Sequence, residues 1–166
     1  MARGLGETTI TISVLDRLID LEPGNKAENV LSRSQSLRLL RAAVRRDLEF
    51  LLNSRRIADT PDEGMKEVNR SAYVYGLPDL SSLTMAAAAD RSRLMRQIQA
   101  TINLFEPRLS NVRIMMVETD DPGKKDVRLR IEAMLRTDPV PEPISFDSVI
   151  ELKSGNCHLA GGDDAR

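Results

Sequence analysis

The sequence predicts an α+β domain: a small, mainly antiparallel sheet covered on one face by two main helices, with a flexible N-terminal segment and C-terminal tail. Two observations lead there. Apolar residues recur at helical spacing over 37–51 and again over 94–105. After Pro107 the period changes to two, as expected of strands with one buried face.

The elements follow in order. Residues 1–9 carry no periodic pattern and are expected to be disordered. Ile12, Leu15, Leu18 and Ile19 share a face if Thr11 to Leu21 is helical, and Glu22-Pro23-Gly24-Asn25 reads as a turn. Such a short stripe on a polar leash either docks on a partner or folds back onto its own core. Ser32 and Gln35 have the spacing of a capping box, so a helix should start there. Its stripe is Leu37, Leu40, Val44, Leu48 and Leu51, and it should run to about Asn53. Residues 59–64 read as a loop. Ser71 to Tyr75 is a strand candidate, stopped by Gly76-Leu77-Pro78-Asp79. Ser81 or Ser82 could cap a small helix through Ala86–Ala89, and Asp90 could cap the next one. That helix has the stripe Leu94, Ile98, Ile102, Phe105 and ends at Pro107.

A strand then begins near Leu109, with Val112, Ile114 and Met116 alternating with Arg113, Met115 and Val117. Asp120-Asp121-Pro122-Gly123 is a turn. Val127, Leu129, Ile131, Ala133 and Leu135 form the core face of the next strand, completing a hairpin. Asp138 to Pro143 reads as a linker, and Ile144, Phe146, Ile150 and Leu152 as a last strand. Gly155 onward reads as a free tail. The chain therefore divides into an N-terminal amphipathic segment and linker (1–31), a main domain (32–153) and a disordered tail (154–166).

Composition narrows the function classes. The 166 residues are 41% apolar and 30% charged, ordinary for one globular domain. A net charge of −1 gives no basic field to gather nucleic acid or an anionic membrane. Aromatics at 3%, with no Trp, leave few platforms for bases or sugars. The first residues lack a signal-peptide pattern, and no apolar run approaches the ~20 residues of a membrane helix. One cysteine excludes an internal disulfide framework. A cytoplasmic protein without membrane insertion is expected.

No chemistry-bearing constellation stands out. Cys157 and His158 are adjacent, but two ligands in a loose tail do not close a metal site or hold a nucleophile pair. No Gly-rich phosphate loop follows a strand, so no cofactor is expected. Glu106, between Phe105 and Pro107, is the one carboxylate at a marked position. Arg108 beside it would keep it ionised rather than let it act as an acid, and no second acid accompanies it, so no catalytic residue is expected. Pro107 should turn the chain so that Glu106 and Arg108 share an exposed corner. Arg38, Arg41 and Arg45 make one helix face basic. The 24 basic residues include only five lysines, and arginine favours multidentate pairing with carboxylates. That face is either a contact for acidic proteins or simply solvated.

Several segments in this order resemble a known family. They are Ser13-Val14-Leu15-Asp16-Arg17-Leu18, Val44-Arg45-Arg46-Asp47-Leu48-Glu49 with Leu51-Leu52-Asn53-Ser54-Arg55-Arg56, Tyr75-Gly76-Leu77-Pro78-Asp79-Leu80, and Phe105-Glu106-Pro107-Arg108-Leu109. Together they resemble the TssE family of type VI secretion baseplate subunits, which includes contractile-phage baseplate wedge proteins. The resemblance spans most of residues 10–153. It implies a structural, non-enzymatic wedge component, cytoplasmic and docked at the inner-membrane complex. It implies TssF, TssG and TssK as wedge partners and the TssB/TssC sheath as the next layer. The Glu106, Pro107, Arg108 motif is then the candidate sheath contact. Ile12, Leu15, Leu18 and Ile19 become the candidate wedge contact. An anti-adaptor of the IraD type shares the superfamily and is the alternative, and the lysozyme-like label of the family leaves a muramidase as a third reading.

Overall fold

The computed structural model describes Ile10 and residues 12–19, 31–80, 87–117, 126–151 and 154–161. Among the described residues, three α-helices precede a four-stranded sheet of order β1-β2-β3-β4, every neighbour antiparallel. The helices are α1 (Val14–Leu18), α2 (Arg33–Asn53) and α3 (Ala88–Phe105). The strands are β1 (Leu109–Val117), β2 (Asp126–Leu135), β3 (Glu142–Glu151) and β4 (Cys157–Gly161). This is the expected α+β architecture.

The capping box starts α2 as its sequence predicts. Ser32 Oγ accepts from the Gln35 N–H at 3.3 Å, and Gln35 Oε1 accepts from the Ser32 N–H at 2.9 Å, so two orphan donors are satisfied. Leu40, Val44, Leu48 and Leu51 are buried, with Leu52 beside them, while Leu37 only flanks the core. In α3, Leu94, Ile98 and Ile102 are fully buried, and the helix closes at Glu106 because Pro107 cannot continue it. Against these stripes lies the inner face of the sheet, with Leu129, Ile131, Leu135, Phe146 and Ile150.

One irregularity sets the register of β1. Leu109 and Val112 are both buried although they are three residues apart, which simple alternation forbids. A bulge between Ser110 and Arg113, with Asn111 at φ 53°, inserts the extra residue and returns Val112 to the core face. Asn is among the few side chains that tolerate this left-handed backbone.

Several expectations need correction. Ser71–Tyr75 is not a strand: two 3₁₀ turns, Val68–Arg70 and Ala72–Val74, fill this stretch. Ser71 drives the turn, its hydroxyl accepting from the Tyr73 N–H at 3.2 Å. Asp90 does not cap α3; the cap is Ala87, and Asp90 lies in the first turn, where a carboxylate also suits the helix dipole. β3 begins at Glu142, inside the expected linker. The free tail is the largest error, because Cys157–Gly161 pairs with Phe146–Ile150 as a fourth strand. The turns expected at 22–25 and 120–123, and the capping serines 81 and 82, lie outside the described residues.

Candidate functional site

The turn after α3 is built around Glu106. Its backbone N–H donates to Ile102 O at 2.8 Å and its carbonyl accepts from Leu109 N at 3.1 Å, closing the helix and opening β1. The chain direction points the Glu106 side chain inward, where it is only 4% exposed. Arg108 compensates the buried charge. Its Nε donates to Glu106 Oε1 at 2.6 Å and its Nη2 to Oε2 at 2.5 Å, a two-pronged pair. The same Nη2 reaches Asp47 Oδ2 on α2 at 2.7 Å. Hydrogen bonds donated to Glu106 and Asp47 hold the guanidinium firmly protonated, well above its usual range, despite its partial burial. The expected exposed corner is therefore half right. Pro107 is exposed and Arg108 half-buried, but Glu106 is sealed inside with both oxygens engaged.

Tyr75 packs against this corner. Its ring lies edge-on to Phe105 with centroids 5.1 Å apart and tilted to Phe50 at 6.3 Å. Burial pushes its hydroxyl pKa up, and the negative charges of Asp47 and Glu106 push it further. Gly76 makes the approach possible. Its φ of +98° belongs to the left-handed side, and a Cβ there would stand 2.5 Å from Ser54 O. Leu77 can then exchange hydrogen bonds with the end of α2, its N–H to Ser54 O at 2.9 Å and its carbonyl from Arg56 N at 2.8 Å.

The N-terminal segment is shorter as a helix than its periodicity suggests, and Ile19 is already extended. Ser13 caps it, accepting from the Asp16 N–H at 3.2 Å. Of the candidate wedge contacts, Ile12 is half-buried, while Leu15, Leu18 and Ile19 are exposed at 61%, 77% and 46%; Val14, at 73%, joins them. Ile10, just before the stripe, enters the core, and Leu15, Leu18 and Ile19 stay outside it. Asp16 ties α1 to α2 through Arg46 Nη1 at 2.7 Å. Burial raises the Asp16 pKa, but hydrogen bonds from Ser13 and Arg46 and the charges of Arg46 and Arg108 outweigh it and hold the carboxyl below its usual range.

On the basic face of α2, Arg38 and Arg45 are exposed and Arg41 is half-buried. Arg46, next to them, is committed to Asp16 and Asp47.

The two edges of the sheet differ. On β4, Asn53 takes the place of a neighbouring strand at Cys157, and Arg55 Nη2 donates to Gly155 O at 2.5 Å. On β1, no strand among the described residues pairs with the outer side, where Gln99 Nε2 donates to Val112 O at 2.7 Å. Cys157 is fully buried against Ser148 Oγ, and burial pushes its thiol pKa up. His158 points the other way and meets Glu49 at 3.5 Å, so the adjacent pair is split between two faces. Among the described residues no group of three or more metal-ligating side chains comes together, and no helix is long and apolar enough to cross a membrane. The outer face of the sheet carries a cleft of about 590 Å³ at the β1 bulge, lined among others by Arg113, Arg130 and Glu132. Arg113 and Glu132 are cross-strand partners there.

Asp47 joins the corner through Arg108 without having been expected there. Its signals were its place beside Arg46 on α2 and within the segment 44–49 quoted above. Compared with known proteins, residues 38–140 match the family model described as baseplate wedge protein gp25. The match runs from within α2 through the Glu106 corner, β1 and β2. Searches of curated proteins and of solved structures returned no match.

Proposed function

The chain belongs to the baseplate wedge protein gp25 family, and from that premise we propose that it is a TssE-type wedge subunit of a type VI secretion baseplate. The family supports a structural role in a phage-tail-like baseplate. In this reading α1 joins the chain to TssF and TssG, with TssK in the same wedge. The Pro107–Arg108 corner and the open β1 edge meet the first ring of the TssB/TssC sheath. The assembly sits in the cytoplasm at the inner-membrane complex.

The observation that carries the reading is the row Val14, Leu15, Leu18 and Ile19, held outside the core by a short helix, none of whose residues is buried, and the extended residue that follows it. Apolar side chains placed this way gain by a partner's surface, roughly 1.5–3 kcal/mol for each large one fully buried, before ordering costs. The β1 edge supports the sheath contact because an unpaired strand can accept another by main-chain hydrogen bonds. A non-enzymatic role is supported by Glu106, whose carboxylate is buried with both oxygens paired to Arg108.

Deleting residues 1–24 tests the proposal. The truncated chain loses Ile10 from the core but should stay folded, checked by circular dichroism, and should lose its capture by a TssF–TssG complex. Undiminished capture would overturn the wedge contact. Binding to a response regulator instead would favour the anti-adaptor, and muropeptide release dependent on Glu106 would favour a hydrolase.

A further inference from the structure

The two surfaces assigned above to different partners are wired to each other. Asp47 divides its carboxylate between two arginines. Oδ1 takes Arg46, at 2.9 Å from Nε and 2.8 Å from Nη2, and Oδ2 takes Arg108 at 2.7 Å. Arg46 extends the chain outward to Asp16 at 2.7 Å, and Arg108 extends it inward to Glu106 at 2.5 Å. Five charges of alternating sign therefore run without a gap from α1, across α2, to the corner before β1. Side-chain exposure falls along the inner part, from 49% at Arg46 through 36% at Asp47 and 24% at Arg108 to 4% at Glu106. The inner end is fixed by burial; at the outer end Asp16 is itself only 12% exposed, and Arg46, at 49%, is the most exposed link and the one with room to move.

α1 depends on that outer end. None of its own residues is buried, and its tie to α2 is the Asp16–Arg46 pair. Arg46 is pulled two ways, by Asp16 and by Asp47. How strongly Asp47 pulls depends on how much of its charge Arg108 neutralises.

We propose that Arg108 sets the seating of α1, so that an acidic side chain of a partner arriving at the Pro107–Arg108 corner loosens α1 from α2. A carboxylate that takes Arg108 leaves Asp47 less neutralised. Asp47 then draws Arg46 away from Asp16, and the apolar row of α1 is released to reach further. By reciprocity, a partner that holds α1 away from Arg46 changes the affinity of the corner for the acidic group by the same factor. The identity of the two partners rests on the proposed function; the coupling inside the chain does not.

Opposite substitutions separate this from a general loss of structure. In the isolated full chain, amide exchange is measured at Arg17 and Ile19, whose N–H groups bond within α1, with β2 amides as the control for global stability. Arg108→Gln removes the neutralising charge and should speed exchange in α1 about five- to tenfold, in the range of ordinary coupling factors. Asp47→Asn removes the competitor for Arg46 and should slow it. Asp16→Asn should bring α1 to one fast rate whether or not Arg108→Gln is added. If Arg108→Gln fails to fold, Arg108→Lys, which keeps the charge but loses the two-pronged geometry, should give a smaller increase. Faster α1 exchange in Asp47→Asn, or an unchanged rate in both Arg108 variants with β2 protected, would overturn the proposal.

Discussion

Asn53, the last residue of α2, pairs with Cys157 as a strand residue would. Its side-chain Nδ2 donates to the Cys157 carbonyl and its Oδ1 accepts from the Cys157 N–H, both at 2.8 Å. A helix terminus thereby closes the outer edge of a sheet at the point where β4 is shortest of support. Edge strands left bare invite pairing with other chains, and this amide removes the invitation at one position.

Asn53→Ala should cost about 1–2 kcal/mol in chemical denaturation, two hydrogen bonds to a buried backbone being lost. Cys157 is at 0% exposure, and burial pushes its thiol pKa up. Thiol labelling of the native chain should be slow and should accelerate in Asn53→Ala. Equal labelling rates would show that β4 does not depend on the clamp.

At the corner, Glu106→Gln keeps the shape but leaves Arg108 with Asp47 as its remaining acidic partner. A loss of about 1–3 kcal/mol is expected from the changed buried acceptor. The double exchange Glu106→Arg with Arg108→Glu should be worse, about 2–4 kcal/mol, short of the ~3–5 for breaking a wholly buried pair because position 108 is partly solvated. It buries a guanidinium in a space shaped for a carboxylate and sets a second carboxylate beside Asp47. An exchange variant as stable as the parent would mean that the pair is interchangeable and the corner merely a turn.

Asp16 gives the N-terminal segment a pH dependence. Its folded-state pKa is depressed, so its contribution is fully present above the ordinary value of 3.8 and is lost as pH falls through the lower folded value. α1 should stay seated on α2 down to pH 4 and detach only below it, read from the amide shifts of residues 12–19 during an acid titration. Asp16→Asn should remove the transition. Detachment beginning near neutral pH would point to a different group.

Gly76→Ala meets two obstacles, the positive φ and the Ser54 carbonyl 2.5 Å from the new methyl. A destabilisation of at least ~2 kcal/mol is expected, more than the usual surface substitution. The neighbouring Leu77 contact with α2 should loosen with it, visible as faster exchange of the Arg56 amide. A neutral effect would mean that this turn relaxes freely.

Much of the fold could be read from the chain alone because its signals were local. Ser32 and Gln35 sit three residues apart and cap each other, and the alternation of β2 names its own core face. What could not be read depends on residues distant in sequence. β4 is Cys-His-Leu-Ala-Gly, a weak strand pattern next to glycines, and it is held by Asn53, 104 residues away, and by Ser148. The burial of Glu106 was hidden for the same reason, since Asp47 lies 61 residues from Arg108. Ser71–Tyr75 misled because its β-prone residues border a serine whose own side chain prefers a turn.

The packing of Tyr75 between Phe50 and Phe105 gives the molecule an optical signature of its state. With no Trp and two Tyr in the chain, near-ultraviolet signals come from few rings. Tyr73 is exposed on a turn, whereas Tyr75 is held in an asymmetric aromatic setting beside Asp47 and Glu106. Near-ultraviolet circular dichroism therefore reports chiefly on the corner, and an unlabelled sample reveals by its tyrosine band whether that corner has rearranged when a partner binds.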